Sequence, residues 1–336
     1  MDDALRVLIG PPGSLERCVL SFPLLCALRD SFPRAFLVWS VDRRFMPLVR
    51  GHVALDRMLV LPDRWQTSLQ KIRWLRHQLR SLEIDLALDP QGTGISRIIV
   101  WLSGAERRVS WSRRGAKNRV THGELPQSAL EASPLALLQA LGISPPRVRF
   151  SIPRQAAAEA KVEALIEATH LSGGFAMIYP PAEGEPWPPQ RYGAVARHLG
   201  QRHRLSTVIS SGGPPSDEVA ARIMASSGGH ALVAPGTSWP EIVSLMTRAE
   251  LFLSSDRGWC YLAAAVGTPG ICLGPVLGSD LSDLFGAAIR GVGGPDDGHR
   301  WRGDAPGKLW DITTESVCTE CERILDDAGF RAAPAA

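Results

Sequence analysis

AELFLSSDRGWCYLAAAVGTPGICLGP, residues 249–275, alternates short apolar runs with polar breaks. Leu251-Phe252-Leu253 ends in Ser254-Ser255-Asp256-Arg257-Gly258, and an alanine-rich segment over 261–266 stops at Gly267-Thr268-Pro269. A second apolar run, 271–273, closes on Gly274-Pro275. The spacing predicts strand, polar turn, short helix, strand: a βαβ unit with its polar residues at the first strand's carboxyl end. Open α/β sheets take ligands there, beside a helix N-terminus whose free N–H groups suit a phosphate. Residues 258–279 carry no charge. Their glycines and prolines leave pieces of about ten residues or fewer, too short to cross a bilayer and interrupted where a helix would need its hydrogen bonds.

Outward from this unit the same alternation recurs. In the first half, strands are predicted over 5–9, 36–39, 58–61 and 84–88, and helices over 16–30, 42–50, 65–82 and 95–102. Pro23 predicts a kink or break in the first helix. Residues 104–119, GAERRVSWSRRGAKNR, read as a basic loop. In the second half, strands are expected over 175–179, 206–209 and 230–233, with helices over 155–169, 190–203, 216–226, 239–248 and 315–328. Alternating strands and helices argue for parallel sheets covered on both faces. At 336 residues the chain exceeds the roughly 100–200 of one domain. The expected division is 1–150 and 151–336, two α/β halves joined by an extended linker at 145–153 and forming a cleft.

The net charge of +3 conceals an asymmetry. Through Pro153 there are 22 Lys and Arg against 13 Asp and Glu, and the remainder holds 15 against 21. A basic first half suggests an anionic partner. The 65–82 helix is amphipathic with a basic exterior, suited to packing on a sheet or to a membrane surface. Nucleic acid is not expected, because Trp111 alone in the basic loop is no stacking platform. The start, MDDALRVLIG, is acidic with too short an apolar run for a signal peptide, so a cytoplasmic location is expected. The six cysteines are scattered, and Cys318-x-x-Cys321 lacks the second pair that a zinc site would need, so no metal is expected. Gly10-Pro11-Pro12-Gly13 lacks the GxGxxG spacing and no Tyr-x-x-x-Lys pair occurs, which argues against a nucleotide-sugar epimerase or dehydrogenase.

In order and spacing, GSLERCVLSFPLL, IDLALDPQGTGISRIIVWLSGAERRVSW, PPAEGEPWPPQRYGAVARHL, VISSGGPPSDEVAARI and the opening stretch resemble glycosyltransferase family 9, the ADP-heptose:lipopolysaccharide heptosyltransferases. The resemblance implies a GT-B fold: two Rossmann-like domains with parallel sheets facing across a cleft. It implies metal-independent, inverting transfer of a heptose-type sugar, with ADP-heptose as co-substrate and no other cofactor. The first domain would take an anionic glycolipid acceptor through Ser14, Gln91, Arg107 and Arg113, with peripheral contact at the inner membrane. The second would take the nucleotide sugar through Asp256, Arg257, Gly258, Tyr261, Asp217, Glu218 and the Glu185 position.

The chain departs from the family pattern at three places. The SLGD segment reads Ser14-Leu15-Glu16-Arg17, so Arg17 stands where the family places its base. Glu16 is one residue early, a turn of about 100° on a helix. The lysine of KxWP becomes Glu185, and DSGPxH becomes Asp256-Arg257-Gly258-Trp259-Cys260-Tyr261. Two expectations follow: a transferase with a rearranged site, using Glu16 as base and Arg257 with the Gly258 amides on the diphosphate, or a catalytically impaired relative acting as a binding or interaction module.

Overall fold

The computed structural model describes residues 5–111, 124–125, 134–139, 141–143, 149–180, 187–210, 216–274, 289–292 and 308–329. The chain divides into two compact units, one through Pro153 and one from Arg154. In the first, β1 (Arg6–Ile9), α1 (Leu15–Ser31), β2 (Phe36–Asp42), α2 (Met46–Val49), β3 (Arg57–Leu61), α3 (Leu69–Arg80) and β4 (Leu86–Asp89) follow in turn. Then come α4 (Gly94–Ser103), β5 (Arg107–Trp111), β6 (Glu124–Leu125) and α5 (Ala136–Gln139). The second unit holds α6 (Ala156–Ala168), β7 (Phe175–Ile178), α7 (Pro189–His203), β8 (Ser206–Ile209), α8 (Ser216–Ser226) and β9 (Ala231–Val233). It continues with α9 (Trp239–Arg248), β10 (Leu251–Ser254), α10 (Arg257–Ala265), β11 (Gly270–Leu273), β12 (Ile289–Val292), α11 (Lys308–Asp311) and α12 (Thr314–Asp327).

Each unit is one parallel six-stranded sheet. The orders are β3-β2-β1-β4-β5-β6 and β12-β11-β10-β7-β8-β9. Read from its other edge, the second is the same winding as the first. Both are the doubly wound order in which the crossovers reverse direction beside the first strand. The reversal falls between β1 and β4, and again between β7 and β10. The two chain exits at each reversal part to opposite faces, opening a crevice at the strands' carboxyl ends. The 249–275 stretch supplies the fourth and fifth strands of the second winding.

The strands read as apolar runs because both faces are covered. Leu8 and Val38 pack with Leu75, Leu79 and Ile99 in the first unit, and Ile178, Leu253 and Ile271 with Tyr192 and Cys321 in the second. The starts of α1 and α4 are set by hydroxyls. Ser14 Oγ accepts from the Arg17 N–H at 3.2 Å, and Thr93 forms a reciprocal box with Ser96 at the start of α4. Gly193 is the one residue type that fits its place, since a Cβ there would sit 2.5 Å from the Ser226 side chain and 2.7 Å from the Ile223 carbonyl oxygen.

Three local expectations are corrected. Pro23 does not break α1, which continues past it to Ser31. An interior proline costs about 3 kcal/mol. Breaking α1 would instead release Phe22, Leu24 and Leu25, all fully buried, at about 1.5–3 kcal/mol each, so continuity wins. The predicted 65–82 helix is divided: a single turn at Trp65–Thr67 ends at an extended Ser68, whose hydroxyl caps α3. The basic loop is in part a strand, because β5 pairs with β4 and Val109 is fully buried between two arginines and Ser110.

One buried histidine fixes a pH dependence. His52 is 4% exposed, stacks on Phe22 at 5.5 Å, and accepts the Ala54 N–H at Nδ1. Burial first, and the Arg149 charge after it, push its pKa down to about 4. The folded chain therefore binds fewer protons than the unfolded chain between about pH 6.5 and 4, so stability falls as pH falls through that window. Urea unfolding should show a loss on the order of 2–3 kcal/mol between pH 7 and 4.5 that is missing from His52→Phe. Parallel slopes in the two proteins would refute the assignment.

Candidate functional site

At the first sheet's reversal the last residue of β4, Asp89, is fully buried. Its Oδ1 accepts the N–H groups of Gln91 at 3.1 Å and Gly92 at 2.9 Å, and its Oδ2 accepts the Ser110 hydroxyl at 2.8 Å. The β4 exit is thus held against β5. Gln91 then reaches across the reversal, its Oε1 accepting the Gly13 N–H at 3.1 Å. The loop after β1 and the loop after β4 become one rim.

Behind that rim lies a cavity of about 620 Å³ at the carboxyl ends of β1 to β4, lined among others by Asp42, Arg44, Asp63, Arg64, Gln91 and Ile95. Arg44 donates to the Gly13 carbonyl at 2.8 Å and lies 3.6 Å from Asp42. Arg43 stands 3.6 Å from Asp63. Burial raises the Asp42 carboxyl above the ordinary carboxylate range despite the opposing pull of Arg44. The cavity therefore combines carboxylates with guanidinium groups, a set that can accept a proton and bind an anion.

Of the residues expected at the acceptor, Gln91 lines this cavity and Ser14 caps the helix beside it. Glu16 and Arg17 lie half-buried in the first turn of α1, and neither is among the described residues lining the cavity. Arg107 needs correction. It is exposed at the amino end of β5, paired with Leu86, while Ser110 at the other end reaches Asp89. Three residues of strand span about 10 Å, so Arg107 faces away from the rim. Arg113 lies outside the described residues. Asp42, Arg44, Asp63 and Arg64 also line the cavity, and their sequence signal is their place at the carboxyl ends of two apolar strands, the same position as residues 254–258 in the second half.

The second sheet's reversal is built alike. Ser254, last in β10 and fully buried, donates its hydroxyl to the Tyr179 carbonyl at 2.7 Å and accepts the Asp256 N–H at 3.0 Å. The helix after it starts earlier than predicted, at Arg257. Asp256 is its N-cap, Oδ1 accepting the N–H groups of Gly258 at 2.8 Å and Trp259 at 3.4 Å. The amides expected to hold a phosphate are thus satisfied by a carboxylate. Trp259 stacks with Tyr179 at 3.9 Å and with Trp239 at 4.9 Å. Burial, with Asp256 adding to it, pushes the Tyr179 phenol up to about 12. Arg257 is half-buried at the helix start, whereas Tyr261 is 2% exposed and belongs to the domain interior. Asp217 and Glu218 are exposed in the first turn of α8, with Glu218 paired to Arg222. Glu185 lies outside the described residues; Trp187, two residues on, is buried and donates to the Ile312 carbonyl at 3.0 Å.

Among the described residues, one group could hold a metal ion: His198, His203 and Glu322, with ligand atoms within 4.8 Å of one another. It ties the end of α7 to α12, at the opposite end of the sheet from the β7 and β10 exits. Glu322 is there shared by His198 at 3.0 Å, His203 at 3.8 Å and Arg202 at 3.9 Å. A second depression, lined by Glu163, Gly174 and Arg248, also lies at the amino ends of that sheet.

The model of glycosyltransferase family 9 (heptosyltransferase) matches residues 72–274, more than half of the chain, including β4 and β5 of the first sheet and the whole second reversal. The chain belongs to glycosyltransferase family 9. It is 22% identical over 291 residues to lipopolysaccharide heptosyltransferase 1 of Escherichia coli O18:K1:H7, covering 80% of this chain and 85% of that protein. A family 9 glycosyl transferase from Veillonella parvula superposes with a TM-score of 0.77 at 17% identity, over 97% of this chain and 98% of that one. The E. coli ADP-heptose LPS heptosyltransferase II superposes with a TM-score of 0.73 at 18% identity, over 97% and 99%. The two Rossmann-like units are those of the GT-B type. Among the described residues no helix is long and apolar enough to cross a membrane.

The two capping carboxylates should differ in weight. Asp89→Ala strips partners from two N–H groups and a buried hydroxyl, and should cost about 3 kcal/mol in urea unfolding. Asp256→Ala removes one partly exposed cap and should cost about 1 kcal/mol. Equal losses would contradict the roles assigned here.

Proposed function

We propose that this chain is an inverting glycosyltransferase that moves a heptose-type sugar from a nucleotide donor, ADP-heptose, to an anionic glycolipid of the lipopolysaccharide-core kind, without a metal. The observation that carries the reading is the mixed acidic and basic cavity at the β1/β4 reversal of a family 9 chain. A phosphorylated sugar acceptor needs guanidinium groups for its anionic part and a carboxylate for its reacting hydroxyl, and Asp42, Asp63, Arg44 and Arg64 supply that set. The donor's name rests on the relatives, one of which is an ADP-heptose transferase.

In the reaction, a carboxylate takes the proton of the acceptor hydroxyl as its oxygen bonds to the anomeric carbon. The bond from that carbon to the diphosphate oxygen breaks, and ADP leaves with the electron pair. Two carboxylates compete for the role of base. Glu16 adjoins the family's base position. Asp42 lines the cavity, and its raised pKa keeps it a better proton acceptor than an ordinary carboxylate, which favours it. On the donor side Asp256 already occupies the Gly258 amide, so the diphosphate's charge falls to Arg257, with Asp217 or Glu218 near the ribose.

Asp42→Asn should lower turnover by about 10²–10⁴-fold, and Glu16→Gln should leave most of it. The acid limb of kcat/KM should lie above the usual carboxylate value of about 4, since the base works only when deprotonated. The reverse ranking of the two variants would return the role to Glu16. Arg257→Ala should weaken ADP binding by about tenfold in calorimetry. ADP affinity without transfer would indicate the catalytically impaired, ligand-binding relative, and neither ADP nor ADP-sugars shifting the melting temperature would reject the donor reading.

A further inference from the structure

The described residues hold eight exposed large apolar side chains, and five of them stand on α3 and α4: Leu69 (74% exposed), Trp74, Ile95, Ile98 and Trp101 (60%). The two helices pack beside each other. On α4 the outward row is Ile95, Ile98 and Trp101, spaced three apart, while Ile99, Val100 and Leu102 turn to the core. On α3, Leu75 and Leu79 turn inward, and Leu69 and Trp74 stand outside among exposed Lys71, Arg73, Arg76, His77 and Arg80. Residues 64–82 and 94–103 contain no Asp or Glu. Among the described residues, no carboxylate lies within ion-pair distance of Arg73, Arg76 or Arg80. The Arg80 guanidinium lies against Gly104, just past the end of α4, so the basic side of α3 borders the apolar row.

We propose that this two-helix face docks the chain on the surface of a bilayer containing anionic lipid. Apolar tips beside long basic side chains, with acids excluded, match the boundary between acyl chains and charged headgroups, where Trp is favoured and arginine stems cover apolar surface while their heads stay wet. A protein partner would need the flat apolar patch without an acid-free surround. Each basic residue near an anionic surface is worth about 1 kcal/mol, so the arginines of α3 suffice for reversible binding once Trp101 and Ile98 enter the interface. Ile95 joins this face to the site described above, since it also lines the cavity. The proposal rests on the glycolipid reading for its purpose, bringing that cavity to the lipid surface, but the binding itself needs no transfer.

The test is sedimentation of the full chain with vesicles of phosphatidylcholine alone or mixed with phosphatidylglycerol, at low and high salt. Wild type should bind the anionic vesicles at least about tenfold more tightly than the neutral ones, and lose most of that preference at high salt. Ile98→Glu with Trp101→Glu, and separately Arg73→Glu with Arg76→Glu, should each weaken binding about tenfold or more. The milder Trp101→Ser, with a wild-type melting curve, should weaken it about threefold or more and stands in for any variant that does not fold. Wild type that ignores anionic vesicles, or variants that bind as wild type does, would overturn the proposal. So would variants that alter self-association with no change in lipid binding, which would assign the face to a second copy. Transfer to an acceptor stripped of its acyl chains should persist in the Ile98 and Trp101 variants. Vesicle binding in a chain that transfers to no acceptor would reject the transferase reading and leave the docking face standing.

Discussion

Parallel strands that end side by side leave backbone N–H and C=O groups unpaired where the chain turns away, and both halves of this chain meet that requirement with the last residue of the fourth strand. In the first half it is Asp89, in the second Ser254, and each is fully buried. Each accepts the N–H two residues ahead, and each exit is tied across the reversal to the exit of the first strand. Without those bonds, buried polar groups at the centre of each sheet would lack partners, at about 1–3 kcal/mol apiece. With them, the floor of each crevice is rigid and its lining can vary. Both halves therefore share a scaffold while presenting different chemistry: a carboxylate–guanidinium cavity in one, a capped helix start beside an aromatic stack in the other.

The capped helix start limits what the second crevice can do. A helix N-terminus attracts anions because its first N–H groups are unsatisfied. Asp256 satisfies two of them and brings its own negative charge, so a diphosphate gains little from the backbone there. The stack of Tyr179, Trp259 and Trp239 holds this turn in place, with Trp259 standing where the family's segment has proline. Attraction for an anion must then come from side chains, which gives Arg257 a weight that its position in the sequence alone does not.

Much of the scaffold was legible because it depends on local patterns. Apolar runs of four or five residues, ended by Gly, Pro, Ser or Asp and separated by helical periods, can close only as covered parallel sheets. The misread segments were decided by contacts distant in sequence. Residues 107–111 look like a charged loop until β4 offers a ladder and Asp89 a partner for Ser110, 21 residues away. The helix after β10 begins four residues before its alanine-rich stretch because Asp256 can cap it, a signal that reads equally well as a turn. The cavity was the least legible feature, since its lining comes from the exits of four strands and no single window contains it.

The departures from the family pattern look like losses when taken one at a time: a carboxylate replaced by Arg17, a lysine by Glu185, a histidine by Tyr261. The folded arrangement argues for redistribution instead. A reaction of this class needs a proton acceptor, positive charge and a fixed floor in certain places, and it does not specify which strand exit supplies them. Arg17 and Glu16 sit in the first turn of α1, outside the cavity lining, while Asp42 and Arg44 enter that cavity from the next strand. Burial gives Asp42 a raised pKa, since desolvation is what disfavours its charged form. On the proposed reading the first half keeps the chemical types and moves them one strand along its sheet, a change that the Asp89-held floor permits.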